Sequence, residues 1–573
     1  MKRLLGYFKG LTTDVILGPV LKLAEAGLDL LIPIVILRII NNGVANGDTA
    51  YTVKMMLVLI CIGTVGFAIA IIAQYFCARA ACVFAGRIRK ALLEKITVMS
   101  AKDAETTGDS TLVTRLTSDV EQVQNGVNLT LRLLLRAPVI VVGATVLSFT
   151  VNVRLALVFC VLVPLISAIV ISVLVFSTPK HAATRKALDS IVVTARENIS
   201  GVRVVRAFNT EKKRVISFSE SSDKLAVLQT AAGNVSSLLN PLTAVSVNAA
   251  LVAIVIIGNS YSAKGLATAG EIIALCNYMT QMLTELLKFA NLVINVTKAG
   301  VCADRIAGVI YDTESQVREN CNDKSDHLIE FRNVTFSYGG EPALSDVSFF
   351  VEGSEHIGII GGTGSGKTTI ASLICRIYDV SDGAVFVRGS NVLSYDPEEL
   401  RNSLSVVPQK TSLFSGTVAS NVSFGDENPD ENRIADSINR AMAGDFVFSS
   451  GKRSDEYEIT QNGKNLSGGQ RQRISVARAL YRKSDVLILD DYNSALDYST
   501  DLSLRKSIFS LPWSPAVIVI SQRISAVKSC DRILVLDDGR IVGNGSHDEL
   551  IENCPVYREL YKSQTEGGYD DRQ

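Results

Sequence analysis

The sequence predicts a multidomain chain: an all-α, six-helix transmembrane domain followed by an α/β domain of the P-loop, nucleotide-binding type. Three observations predict it. The first ~300 residues are dominated by long apolar runs, whereas the remainder has ordinary soluble-domain composition. The apolar runs fall into six segments, 15–41, 54–80, 130–151, 154–177, 236–259 and 270–296. Beyond them lies a glycine-rich turn, Gly361-Gly362-Thr363-Gly364-Ser365-Gly366-Lys367-Thr368, with an apolar run, Ile357–Ile360, before it and a helix-like run from Thr369 after it. The boundaries expected from this pattern are a membrane domain over 1–312, a linker over 313–327, a nucleotide domain over 328–565 and a polar tail over 566–573.

At 573 residues the chain is too long for a single core. Its 57 Lys and Arg balance 57 Asp and Glu, which gives no electrostatic case for a nucleic-acid partner. The ten cysteines are scattered without a CxxC pair, and a disulfide framework is not expected. The first apolar run carries Lys22, Glu25 and Asp29, unlike the apolar core of a cleavable signal peptide.

Each apolar segment approaches or exceeds the ~20 residues that cross a bilayer as a helix. Met55–Ala78 and Leu155–Pro179 hold no charge. The third segment extends to full length if Arg136 snorkels to the surface. Glu285 and Lys288 in the sixth are three apart, on one helical face, where they can pair with each other or face a translocation path. Two long polar connections, 81–129 and 178–235, read as helical extensions, as in Arg87-Ile88-Arg89-Lys90-Ala91-Leu92-Leu93-Glu94-Lys95. They are basic, whereas the loop 42–52 is not, so they and the nucleotide domain are expected in the cytoplasm of a multi-pass protein of the cell membrane.

In the second half, strand, glycine turn and helix in that order form a phosphate-binding loop. Inward-pointing N–H groups would cradle phosphate oxygens, Lys367 would reach the β- and γ-phosphates of ATP, and the Thr368 hydroxyl would ligate Mg²⁺. Thr369 opens the helix whose positive end completes the nest. A second motif, Asp485-Val486-Leu487-Ile488-Leu489-Asp490-Asp491, reads as a buried parallel strand with acidic residues at its carboxyl end. Asp490 would hold Mg²⁺, and Asp491 stands where a general base for water is expected. Tyr338, in a Tyr-Gly-Gly turn, offers a ring on which a purine can stack.

Between these motifs lies Leu466-Ser467-Gly468-Gly469-Gln470, followed by Arg471-Gln472-Arg473. This stretch resembles the signature motif of ATP-binding cassette (ABC) proteins, and the membrane half resembles that of ABC exporters. The resemblance implies Tyr338 as the adenine-stacking aromatic and Gln409 as the Q-loop residue beside the metal and the attacking water. It places Asp497 in the D-loop, and Gln522 where the family has its switch histidine. It also implies a dimer of half-transporters, each ATP held between one chain's phosphate loop and the other chain's signature motif. The stretches Arg115–Val120 and Val204–Asn209 resemble those flanking the family's coupling helices.

Two departures from the family pattern stand out. Asp491 replaces the usual glutamate base, and Gln522 replaces the histidine. The carboxylate of Asp491 is set back by about 1.5 Å, and a misplacement near 1 Å costs on the order of a hundredfold in rate. Gln522 can hydrogen-bond a phosphate but cannot titrate. With an intact signature motif, this pattern predicts a degenerate-site subunit of a heterodimeric, multidrug-type exporter in a bacterial plasma membrane, moving an amphiphilic drug, lipid or peptide. A homodimeric exporter with slow ATPase, or an ATP-gated channel or regulator on the same fold, is the alternative.

Overall fold

A computed structural model describes residues 2–313, 318–319, 321, 323–449 and 453–566. The expected linker is therefore described only in part, and the expected tail lies outside the described residues beyond Glu566. The chain divides into two compact units. One holds the residues up to Thr97 together with Ser110–Asp312, and the other holds Val98–Asp109 together with the chain from Thr313 onward.

The described residues of the first unit form helices joined by short turns. Its helices are α1 (Thr12–Arg38), α2 (Thr49–Val98), α4 (Asp109–Thr114), α5 (Val120–Leu133), α6 (Arg136–Val151), α7 (Val153–Ser200), α8 (Val202–Ala207), α9 (Glu211–Ser237), α10 (Leu239–Ser262) and α11 (Ala269–Asp312). The short α3 (Ala101–Thr107) falls in the second unit. Among the described residues, five helical runs are long and apolar enough to cross a membrane: 49–98, 109–151, 153–200, 211–262 and 269–312. The first expected segment, 15–41, lies in α1, 27 residues long, and runs on into a π-helical turn, Ile39–Val44; Asp14, Lys22, Glu25 and Asp29 interrupt the apolar character of α1.

The long polar connections are continuations of these helices. At 1.5 Å per residue the 50 residues of α2 extend about 75 Å, against a hydrocarbon core near 30 Å. Its polar half keeps the helical period, with Cys77, Ala81, Phe84, Ile88 and Leu92 buried on one face. Its apolar half leaves Leu57, Ile60, Phe67 and Ile71 exposed, as lipid-facing positions require.

Charged residues from three helices meet inside this unit. Lys22, Glu25 and Asp29 lie along one face of α1, and Gln281, Glu285 and Lys288 along one face of α11. Arg136 bridges them from the start of α6, 2.8 Å from Asp29, 3.2 Å from Glu285 and 3.6 Å from Glu25. Lys288 pairs with Glu285 at 2.8 Å, one of the two roles its spacing allowed. Arg136 does not snorkel: three carboxylates hold it inside, where an unpaired guanidinium would be costly.

The second unit is layered α/β. A six-stranded sheet runs in the order β12 (Arg540–Gly545), β11 (Arg532–Asp537), β3 (His356–Gly361), β10 (Ala516–Ser521), β9 (Val486–Asp490), β6 (Leu404–Val407). All its pairings are parallel except β11 with β12. A four-stranded antiparallel sheet has the order β2 (Pro342–Val351), β1 (Ile329–Ser337), β4 (Asp382–Val387), β5 (Ser390–Asn391). A small pair, β7 (Gly416–Thr417) and β8 (Glu458–Ile459), stands apart.

Side-chain alternation sorts the strands' residues between two cores. Ile357, Ile359, Val486 and Ile488 join β1 and β2 in one cluster, while Ile360, Leu487 and Leu489 join the helical layer in the other. With both faces covered, β9 is buried at every position, which explains its unbroken apolar run.

Candidate nucleotide site

Strand order builds the site. β10 lies between β3 and β9, so the parallel strands release three segments side by side at their carboxyl ends. These are the phosphate loop after β3, Asp490-Asp491 at the end of β9 and Ser521-Gln522 at the end of β10. Ligands bind at this edge of such sheets. A cleft of about 390 Å³ there is lined by Tyr338, Thr363, Gly364, Gly366, Lys367, Thr368, Thr369, Gln409, Asp490, Asp491 and Gln522. An adjoining cleft takes in Gly361 and Gly362.

The loop's curl depends on its glycines. Gly366 has φ +95° and caps α12 (Lys367–Ile374), and a Cβ there would lie 2.6 Å from the Ala343 carbonyl oxygen. Lys367 is 8% exposed and donates to the carbonyls of Gly361 (2.9 Å) and Gly362 (2.5 Å) and to Ser365 Oγ (3.3 Å). Its burial lowers its pKa, and Asp490 and Asp491 act against that shift. Asp490 is 4% exposed, and burial pushes its carboxyl up while a hydrogen bond with Thr368 and the charge of Lys367 pull it down.

Tyr338 stands edge-on to Phe336 (centroids 4.8 Å apart) and to Tyr378 (5.2 Å), and its hydroxyl is 3.2 Å from Thr369 Oγ1. Tyr378 donates to Glu105 of α3 at 2.7 Å. A lone aromatic after α12 carries no motif, so this contact was not readable in advance.

The signature residues form a separate feature. Ser467 caps the helix Gly468–Arg482 in a reciprocal capping box with Gln470. Leu466, Ser467, Gly468, Gly469, Gln470 and Asp497 do not line the cleft. Gln472 ties this helix to the strand end, donating to Ser494 Oγ (2.7 Å) and the Asp491 carbonyl (3.3 Å) and accepting from Ala495 N–H (3.0 Å). Asp497 accepts from Thr500 N–H at 3.0 Å as an N-cap, and the Ser499 and Thr500 donors hold its carboxyl far below the usual range.

A helical membrane unit joined to a phosphate-loop ATPase unit that also carries a signature helix defines a class, the ATP-driven membrane transporters. Comparison with known proteins agrees. Residues 15–286 match the family described as the ABC transporter transmembrane region, and residues 344–494 the family described as ABC transporter. An uncharacterized ABC transporter ATP-binding protein of Mycobacterium tuberculosis is 34% identical over 555 residues, 95% of each chain. YfiB of Bacillus subtilis, another, is 32% identical over 98% of each. The ATP-dependent lipid A-core flippase of Salmonella typhimurium is 31% identical over 470 residues, 81% of this chain and 80% of that one. The solved structure of a bacterial Atm1-family ABC exporter with ATP bound has the same fold, with a TM-score of 0.81 over 97% of this chain and 99% of that one, at 20% identity.

The chain belongs to the ABC transporter family and has the fused membrane and ATP-binding domains of its exporters. It is a multi-pass membrane protein that binds ATP and couples its hydrolysis to transport.

Proposed function

We propose that this chain is one half of a heterodimeric exporter and that its own ATP site holds nucleotide long and hydrolyses it slowly. The observation that carries the reading is the company that Asp491 and Gln522 keep. Both line one cleft with Lys367, so the short base and the non-titrating amide bear on the same phosphate. The signature residues Leu466–Gln470, intact in sequence, complete the site built on the partner's phosphate loop. Tyr338 stacks the adenine, the loop Gly361–Thr368 cradles the phosphates, Gln409 and Gln522 contact the γ-phosphate side, and Asp497 lies at the dimer seam.

Mg²⁺ suits the oxygen donors present. Thr368 and the buried Asp490 share a hydrogen bond at the cleft and would supply two hard oxygens, with Gln409 nearby. Among the described residues no cluster of three His, Cys, Asp or Glu could cage a metal alone, so phosphate and water would fill the remaining positions. The metal would neutralise charge on the phosphates, while this chain's residues position ATP and water.

Alternating access follows if ATP binds the closed pair better than the open one. The transported molecule is an amphiphile. The largely apolar membrane helices support this, as does the likeness to a lipid A-core flippase. The plasma membrane of a bacterium is the corresponding location.

The test uses the chain purified with its second half-transporter in lipid vesicles. Removing the general base of the second chain alone should abolish both ATPase and uptake of an amphiphilic dye. If about half the ATPase survives, this chain's site hydrolyses at full rate and the reading fails.

A further inference from the structure

The helix Pro555–Glu566 reaches the nucleotide site from outside its motifs. Its start is anchored in the core. Tyr557 is fully buried, with its hydroxyl 2.7 Å from His547 Nδ1, and Leu560 and Tyr561 pack against the same cluster. Two turns after Tyr557 stands Gln564. Its Nε2 donates to the Gln522 carbonyl at 2.7 Å, and its Oε1 accepts from the Ile524 N–H at 2.9 Å.

One carboxamide thus brackets the turn that leaves β10. The intervening Arg523 N–H is taken up by Ser521 Oγ at 3.0 Å. Only a side chain with both a donor and an acceptor can make this bracket. The same helix contributes Leu560, Ser563 and Gln564 to the lining of the adjoining cleft, about 780 Å³ in volume, which Gly362, Asp491 and Gln522 also line.

We infer that Gln564 is a positioning residue for the ATP site: it fixes the backbone of Gln522–Ile524 and so sets how long this chain retains ATP. The inference rests on the reading that Gln522 faces the γ-phosphate. Gln564 is not among the residues lining the Lys367 cleft; it acts through the turn. The C-terminal helix thereby gains a lever on nucleotide release, since any shift of its last turn breaks two hydrogen bonds on the turn that carries Gln522.

The experiment follows radiolabelled ATP retained on this chain after a chase, using the full-length chain paired with its second half-transporter. Gln564→Ala, Gln564→Glu and Gln522→Ala are compared with the parent, and each variant's melting temperature is recorded. Gln564→Ala should shorten retention several-fold, up to about tenfold for two lost hydrogen bonds. The KM for ATP in the pair's hydrolysis and the melting temperature should stay unchanged. Gln564→Glu should shorten retention too, because an ionised carboxylate accepts from Ile524 but offers nothing to the Gln522 carbonyl.

Shortening by both Gln522→Ala and the Gln564 variants supports the inference. Shortening by Gln522→Ala alone overturns the inference and leaves the site reading intact. No change with Gln522→Ala, whatever the Gln564 variants do, overturns the γ-phosphate reading and the inference with it. A loss of retention that tracks a lowered melting temperature, and that Gln564→Glu does not reproduce at parental stability, marks a merely structural glutamine and also overturns it.

Discussion

Asp491 adopts φ +47°, the left-handed region that short polar side chains tolerate best. Its N–H donates to the Ile520 carbonyl at 2.9 Å, and its own carbonyl accepts from Gln472 and from Ser494 N–H, both at 3.3 Å. The backbone is held by the Ile520 carbonyl, Gln472 and Ser494, which fixes where the Asp491 carboxylate can reach; one methylene fewer than glutamate is then not recovered by backbone movement. Its neighbour Asp490 has the opposite problem. Burial raises its pKa above the ordinary 3.8, so a proton competes with Mg²⁺ for it at a higher pH than for an exposed aspartate. Mg²⁺-dependent ATP binding is therefore predicted to hold near neutral pH and to weaken on acidification before exposed aspartates titrate. ATP binding measured with and without Mg²⁺ across mildly acid pH checks this: a fall confined to the Mg²⁺-containing series is the expected result.

At the scale of elements, two arrangements join what the sequence keeps apart. Arg136 ties α1 to α11 through Asp29, Glu25 and Glu285. Removing one partner of a buried network leaves the others uncompensated, so Arg136→Met is predicted to destabilise the membrane unit by about 3–5 kcal/mol. Thermal unfolding in lipid measures it. In the second unit, Tyr378 connects α3, through Glu105, to the ring of Tyr338. Tyr378→Phe keeps the ring and deletes a hydrogen bond to a carboxylate, a loss of about 1.5–3 kcal/mol of local anchoring. The predicted outcome is basal ATPase close to parental with substrate stimulation lost, read by titrating transported substrate into the paired protein. Local motifs were legible before the fold: strand, glycine turn and helix around Lys367, and the buried run before Asp490, each declare themselves within a dozen residues. Tyr378, Gln472 and Arg136 were not, because their partners lie 273, 22 and 149 residues away and no spacing rule links them.

At the scale of the molecule, the division into an apolar and a soluble half was readable from composition alone, and the length of the helices was not. The apolar stretch of α2 ends near Ala78, yet the helix runs to Val98 because its polar half keeps a buried face at helical spacing. The first expected membrane segment was harder to read for a related reason: Glu25 and Asp29 look like breaks until Arg136 supplies their counter-ion. The proposed functional asymmetry also belongs to this scale. On the proposed reading, an intact signature motif and a shortened base on this chain are matched by a second chain with the complementary assignment. The measurement that bears on this most directly is the ATPase rate of this chain purified alone, set beside its rate in the pair. The account predicts near inertness alone and activity in the pair. Brisk hydrolysis by the chain alone, with Asp491 and Gln522 in place, would contradict it.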